Sequence, residues 1–399
     1  MRQPTPPTPI DLLDGDFYAR DPHAAFRWMR ANAPIFWDAK NRVWGITRHA
    51  HVQEVAKSPL LFCSGGGSRP DSPPIPSMIN MDDPMHRRRR ALVNKGFTPR
   101  RVEEQEQMAR AASRRLLAAV AARGACDWVH DIARHLPMVM IGDMLGVDEA
   151  DHEQLLQWSD DMLLGTNANA TQAVRAAAMQ AGVAWIAYHA RIVADRRAKP
   201  PAEDLISTLI NAELDGEKLD DEALRQEALL ILIGGDETTR HVLTGGLYEL
   251  LRNPEQKAAL ARDPSKIPVA VEEMLRWVTP IQNMNRTATR DMDFHGAKIE
   301  QGDKLLLLYP SANRDEAVFD DPDRFDSTRD PNEHLAFGGY GPHFCLGASL
   351  ARLELRVMFE ELLVRLPDVE LASNEAPELR RSNFIVGFER LPIRWRAQA

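Results

Sequence analysis

Apolar positions recur at helical spacing along most of the chain. Between Arg101 and Ala122 they fall at Leu116, Leu117, Val120 and Ala121, and Gly124 closes the run. Leu136 to Leu145 is apolar and stops at Gly146; Gln172 to Arg197 is alanine-rich and ends before Pro200-Pro201. Asp220 or Asp221 predicts the cap of a longer helix that reaches about Arg252, where Asn253-Pro254 stops it. At 1.5 Å per residue, roughly 30 residues span about 45 Å, enough to cross the molecule. A last helix is predicted from about Leu346 to Arg365. Strand patterns are shorter: Val43 to Thr47, Asp293 to Ile299, Lys304 to Leu308 and Phe384 to Phe388. Turn residues crowd Cys63 to Pro76 and Arg314 to Pro331, and no internal repeat is present. The pattern predicts a mainly α chain with a minor β region.

Composition adds limits. The 399 residues show no linker, so one domain is expected over 11–399, behind a flexible proline-rich arm at 1–10. That arm has no apolar h-region and does not read as a secretory signal. The longest apolar run, Ala228 to Ile233, falls far short of the roughly 20 residues of a membrane span. Cys63, Cys126 and Cys345 are too few and too scattered for a disulfide framework or a zinc site. A soluble protein of the reducing cytoplasm is expected. Net charge is −9, which argues against nucleic-acid binding. Basic residues nevertheless cluster at Arg87 to Arg90, Arg100, Arg101, Arg110, Arg114 and Arg115. Solvated helix faces account for the later ones; a docking surface for an acidic partner is the functional reading of the first.

Two segments carry candidate chemistry. Cys345 lies in Phe337-Gly-Gly-Tyr-Gly-Pro-His-Phe-Cys345-Leu-Gly347, a glycine-rich loop that enters a helix. Turn N–H groups and the helix N-terminus are expected to lower the thiol pKa and keep it ionised. A buried structural cysteine is the competing account. The second segment, Gly234-Gly235-Asp236-Glu237-Thr238-Thr239, sits mid-way along the longest helix. Adjacent glycines inside a helix cost roughly 1 kcal/mol each relative to alanine. Their presence fits a backbone that approaches something flat while the helix opens locally, or close helix packing.

Together these segments resemble the haem-thiolate monooxygenases of the cytochrome P450 family, in its soluble bacterial class. His343, Gly341 and Gly347 stand around Cys345 as in the haem loop of that family, although Phe337 is eight residues before the cysteine instead of seven. The resemblance implies the cytochrome P450 fold, with haem between the oxygen-binding helix and the cysteine loop. It implies heme b with Cys345 as axial thiolate and metal ligand, a ligand type that favours O–O cleavage. Glu237 would be the acid that relays protons and Thr238 the hydroxyl beside dioxygen. Asp236 falls at a variable position and is expected to be solvated or salt-bridged. His86, Arg90, Arg286 and His343 would hold the haem propionates; Gly235 and Phe337 would also contact the cofactor. Glu273, Arg276 and Arg324 would form a buried structural triad. Electrons are expected from a ferredoxin with its NAD(P)H-dependent ferredoxin reductase, docked on a proximal basic face that includes Arg87 to Arg89.

A narrower resemblance runs through Trp28-Met-Arg-Ala-Asn32, Asn80-Met-Asp-Asp-Pro84, Pro137-Met-Val-Met-Ile-Gly-Asp-Met-Leu-Gly146, Trp158-Ser-Asp-Asp161 and Ile231 to His241. These segments look like those of actinobacterial enzymes that oxidise the terminal side-chain carbon of cholesterol or cholest-4-en-3-one. Family position then implies a pocket formed by Met78, Ile79, Met162, Leu163, Leu164, Ile233, Val278, Ile281, Met284, Phe384, Ile385 and Val386, each of which would serve core packing equally well. Such a lining suits a rigid apolar ligand, at about 25 cal/mol per Å2 of apolar surface buried. A fatty acid, terpenoid or macrolide is the alternative substrate. A peroxide-driven haem enzyme is disfavoured by the intact acid–threonine pair; a haem-based binding or sensor protein and a helical interaction protein without cofactor are the non-enzyme alternatives.

Overall fold

The computed structural model describes residues 4–166, 170–214 and 216–397; residues 1–3 of the expected arm fall outside that range. The principal helices are α1 (Met85–Val93), α2 (Glu106–Ala121), α3 (His135–Leu145), α4 (His152–Gly165), α5 (Gln172–Ala198), α6 (Asp221–Arg252), α7 (Ile267–Val278) and α8 (Ala348–Arg365). Strands β1 (Ile35–Asp38), β2 (Val43–Ile46), β3 (Phe62–Cys63), β4 (Asn283–Ala288) and β5 (Lys304–Leu308) form one sheet in the order β1-β2-β5-β4-β3. β5 runs parallel to β2 and antiparallel to β4.

The 32-residue α6 is the axis of the molecule. Asp220 caps it by accepting from the Ala223 N–H at 2.7 Å, which satisfies one of the orphan donors of the first turn. Leu224, Ala228, Leu232, Val242, Leu243 and Leu247 are buried, and α3, α7 and α8 pack around the helix. α3 ends where Gly146 turns left-handed at φ 71°, a conformation that costs glycine nothing.

Three expected elements differ. The helix predicted from Arg101 to Ala122 is divided at Gln105, whose N–H bonds the Val102 carbonyl three residues back. Asp293 to Ile299 is a hairpin of Met292–Phe294 and Ala297–Ile299, because His295 and Gly296 both take positive φ and turn the chain. Phe384 to Phe388 forms no strand. Gln282 N–H donates to the Phe384 carbonyl and Val386 N–H to the Pro280 carbonyl, flanking a single bridge between Ile281 and Ile385. The ladder goes no further because Pro280 has no N–H to return to Val386.

Candidate active site

The cysteine loop is shaped by close approaches. A Cβ on Gly341 would lie 1.9 Å from the Ala56 carbonyl oxygen, and one on Gly339 would lie 2.6 Å from Ala56 Cβ, so both glycines let the loop rest on the helix His49–Lys57. Gly338 takes φ 96° and Tyr340 φ 59°; Tyr340 projects outward and stacks on Phe344 at 5.1 Å. The longer loop is therefore taken up by an exposed bulge. Phe337 stays anchored: its carbonyl accepts from the Cys345 N–H at 2.9 Å, and Arg352 lies 4.6 Å over its ring.

Cys345 has accessible surface, yet the surrounding protein is dense enough that burial raises its thiol pKa. The Gly347 N–H, Arg90 and Arg352 act in the opposite direction but do not prevail. The expectation of a lowered thiol pKa is corrected: the loop donors are present, but burial outweighs them and the thiol lies above its ordinary value.

Around the cysteine, two arginines and two neutral histidines converge. The rings of His86 and His343 lie against each other with centres 3.9 Å apart, tilted by 31°. Burial first, then Arg286, His86 and Arg90, push His343 down to about 2. Arg90 donates to the Phe344 carbonyl and Arg286 to the Asn285 carbonyl at 2.8 Å. Neither arginine has a carboxylate ion-pair partner among the described residues, burial lowers the pKa of both, and His86 Nε2 is buried without a partner. Buried cations without acids call for an anionic ligand.

Across the cleft, α6 runs as unbroken α-helix; the local opening expected at the glycine pair is absent. Thr238 Oγ1 donates to the Gly234 carbonyl at 2.9 Å. The two glycines differ. Gly234 is exposed, with no atom within 4 Å of where a Cβ would lie, whereas a Cβ on Gly235 would sit 2.5 Å from Ile141 Cδ1. Gly235 serves packing against α3, and Gly234 is the glycine that faces open space.

Glu237 is fully buried. Burial alone would raise its pKa, but Arg240 and Arg380 hold it well below the usual carboxylate range. Arg380 Nη1 lies 2.9 Å and His241 Nε2 3.1 Å from Glu237 Oε2, and Arg240 pairs with Oε1. Asp160 of α4 shares Arg240 at 3.1 Å and retains some exposure; burial and the hydrogen bond with Glu237 raise it to about 7. Asp236 corrects the sequence reading: both its oxygens are buried without hydrogen-bond partners, and burial raises its pKa well above 3.8. Glu354 of α8 is likewise buried and raised, with Asp236 as its charged neighbour, so these two carboxyls meet where α8 packs under the α6 motif.

Glu273 and Arg276 of α7 are fully buried and bidentate, both oxygens at 2.7 Å. The third member is Arg329, whose Nε is 3.1 Å from Glu273 Oε2. Arg324 is 66% exposed and pairs with Asp326 at 2.6 Å, pulled outward by that nearer acid, so the expected triad is corrected. Arg87 and Arg88 are exposed, but Arg89 turns inward to Glu227. Of the expected pocket residues, Leu163, Leu164, Phe384 and Ile385 share one narrow cleft with Arg380 and Ser382. Met78 is buried, and Ile79, Met162 and Ile233 are partly exposed; Ile281 and Met284 pack on the core beside the sheet. Val278 packs on the main helical core and Val386 belongs to an N-terminal core cluster with Tyr18 and Phe26, as packing alone requires.

Arg240 and His241 follow Glu237 at i+3 and i+4 and could have been found from helical spacing. Asp160, Arg380 and Arg329 come from distant segments and carried no local signal.

The sequence profile of cytochrome P450 matches residues 68–267 and 265–395. The chain belongs to the cytochrome P450 family. This family membership accounts for the cysteine loop, the α6 motif and the carboxylate–arginine core, and brings with it a haem iron under a cysteine thiolate and monooxygenase chemistry. The chain is 49% identical over 386 residues, 96% of each sequence, to a steroid C26-monooxygenase of Mycobacterium tuberculosis. It is 38% identical to a methyl-branched lipid omega-hydroxylase of Mycobacterium bovis over 98% of this chain and 97% of that one. Among solved structures, a Mycobacterium marinum cytochrome P450 in complex with pseudoionone superimposes with a TM-score of 0.89 at 33% identity, covering 97% of this chain and 99% of that one. Among the described residues no helix is long and apolar enough to cross a membrane.

Proposed function

We propose that this cytochrome P450 hydroxylates the terminal carbon of a sterol side chain, with cholesterol or cholest-4-en-3-one as substrate. The likeness to the steroid C26-monooxygenase, which runs through nearly the whole of both chains, carries the reading. Leu163, Leu164, Phe384 and Ile385 give the narrow cleft an apolar side of the kind a sterol tail requires, beside Thr166, Arg380 and Ser382.

The residues present fit heme b. Cys345 would hold its iron; Arg90, Arg286, His86 and His343 would meet its carboxylates; and the bare backbone at Gly234 would leave room for a flat ring. When bound, a thiolate-ligated haem supplies activation and cleavage of dioxygen. The chain's own task is to deliver protons and exclude bulk water. Asp160 takes a proton from solvent near neutral pH and passes it toward Glu237, the two carboxyls being bridged by Arg240 and Arg380. Thr238, the next residue of α6, donates its hydroxyl to the Gly234 carbonyl and would have its oxygen left to accept a further hydrogen bond. Electrons would come from a ferredoxin and its NAD(P)H-dependent reductase, met by the exposed Arg87 and Arg88; Arg89 is not available to that surface.

The test is a titration of ferric protein with cholest-4-en-3-one, followed at the Soret band, with product mapping after turnover. A saturable high-spin shift and a terminal alcohol support the proposal. A thiolate-type reduced-CO spectrum without a sterol shift retains the monooxygenase and removes the sterol. A shift with a methyl-branched fatty acid instead would transfer the substrate to that class, in line with the omega-hydroxylase relative.

A further inference from the structure

Glu227 is a buried carboxylate that the chemistry above leaves unused. It stands in α6 seven residues before Gly234 and eleven before Thr238, two and three turns along the same helix face. Its side chain is fully buried. Oε1 accepts from the Met78 N–H at 2.9 Å and from Arg89 Nη1 at 3.3 Å, while Oε2 has no partner. Burial raises this carboxyl to about 7, with Arg89 and the Met78 N–H only partly offsetting the cost. An apolar side chain would fill such a place at lower cost.

The contacts of Glu227 lie at one end of a strap. At the other end, Arg69 donates to Asn283 Oδ1 at 2.8 Å and to Asn383 Oδ1 at 3.0 Å, and Asn383 donates to Asp71 at 2.9 Å. Arg69 also lies 4.3 Å over the Phe384 ring, which lines the narrow cleft. Between the two anchors, residues 72–76 are exposed and contain Pro73, Pro74 and Pro76; Ser77 and Met78 are buried again. Prolines stiffen such a segment, so its position is set mainly where it is tied. Arg89 is followed by Arg90, which holds the Phe344 carbonyl beside Cys345. Consecutive arginines of α1 therefore hold the strap and the cysteine loop.

We infer that Glu227 is a positioning residue: by tying the Met78 N–H to Arg89 it fixes the strap 69–80 as the front wall of the substrate pocket, and so sets substrate affinity and not the rate of chemistry. The inference rests on the pocket reading that places Met78 and Ile79 against substrate.

The test uses the haem-loaded protein in three variants: Glu227→Leu, Glu227→Gln and Arg89→Met. Hydrogen exchange over residues 77–82 is measured without ligand, and KM and kcat are measured with cholest-4-en-3-one. Loss of a hydrogen bond to a buried charge should speed exchange at these amides about tenfold or more in Glu227→Leu. KM should rise on the order of five- to twentyfold with kcat nearly unchanged, as for lost uniform binding. Glu227→Gln keeps an acceptor for the Met78 N–H and should recover most of the protection; Arg89→Met should fall between. Wild-type exchange at 77–82 in a folded Glu227→Leu or Arg89→Met protein would overturn the inference, as would a fall in kcat at constant KM. The exchange measurement needs no sterol, so failure of the sterol assignment and failure of the strap are read separately.

Discussion

Replacing Arg329 by methionine should destabilise the protein, and replacing Arg324 should not. Arg329 Nε meets Glu273 Oε2 at 3.1 Å, and its other nitrogens donate to the Asp320 carbonyl at 2.7 Å and the Asp321 and Arg324 carbonyls at 3.3 Å. Glu273 would retain Arg276 on both oxygens, the Asp326 N–H at 2.8 Å and Asn332 at 3.1 Å. The loss is thus one charged partner of several, below the roughly 3–5 kcal/mol of a fully broken buried pair. A hydrogen bond to a charged group contributes about 1.5–3 kcal/mol, and methionine keeps the apolar stem packed, so about 2–3 kcal/mol is expected. The exposed Arg324 side chain pairs with Asp326 at the surface, and Arg324→Met should leave the unfolding midpoint where it is. Urea unfolding followed by circular dichroism, with haem content measured in parallel, reads both variants. An Arg324→Met protein as unstable as Arg329→Met, or an Arg329→Met protein like wild type, would refute the assignment. Glu273→Ala, which strands Arg276 as well, should lose haem or fail to fold.

Further outcomes are expected. Thr238→Ala and Glu237→Gln should each lower product per NAD(P)H by on the order of 10²-fold while peroxide release rises and sterol binding persists, read by coupled oxygen and product assays; Asp160→Asn should flatten the loss of turnover above about pH 7, where its carboxyl gives up its proton. Asp236 is raised in the folded state, so its contribution to stability is complete below its ordinary value of 3.8 and is lost as pH rises from there toward the folded value; Asp236→Asn should therefore show a smaller fall in urea midpoint than wild type as pH is raised above 3.8. Gly235→Ala should cost about 1–3 kcal/mol by overpacking Ile141, whereas Gly234→Ala should keep or slightly raise stability and instead lower haem content, because its methyl projects into the cleft.

The elements that could be read in the sequence are those whose cause is local. Periodic apolar positions, Asp220 as a cap and Gly146 as a stop placed α3, α5, α6 and α8 nearly to the residue, since helix limits depend on groups a few positions apart. The glycine loop around Cys345 and the acid–threonine pair were equally legible, because each is a contiguous string. What tertiary structure decided was partnership. Whether Arg324 or Arg329 reaches Glu273 depends on how the 320–332 segment folds back, and Asp326, two residues from Arg324, claims the nearer guanidinium. Asp236 and Glu237 are neighbours in sequence, yet the helix turns one toward a partnerless interior beside Glu354 and the other toward Arg240 and Arg380, so their pKa values move in opposite directions. The thiol of Cys345 shows the same division: its loop donors were visible in the chain, but burial, which prevails over them, is a property of everything folded around it. Local sequence sets which groups are present and how the backbone runs; burial and the sign of each charge's surroundings are sums over residues that only the fold brings together.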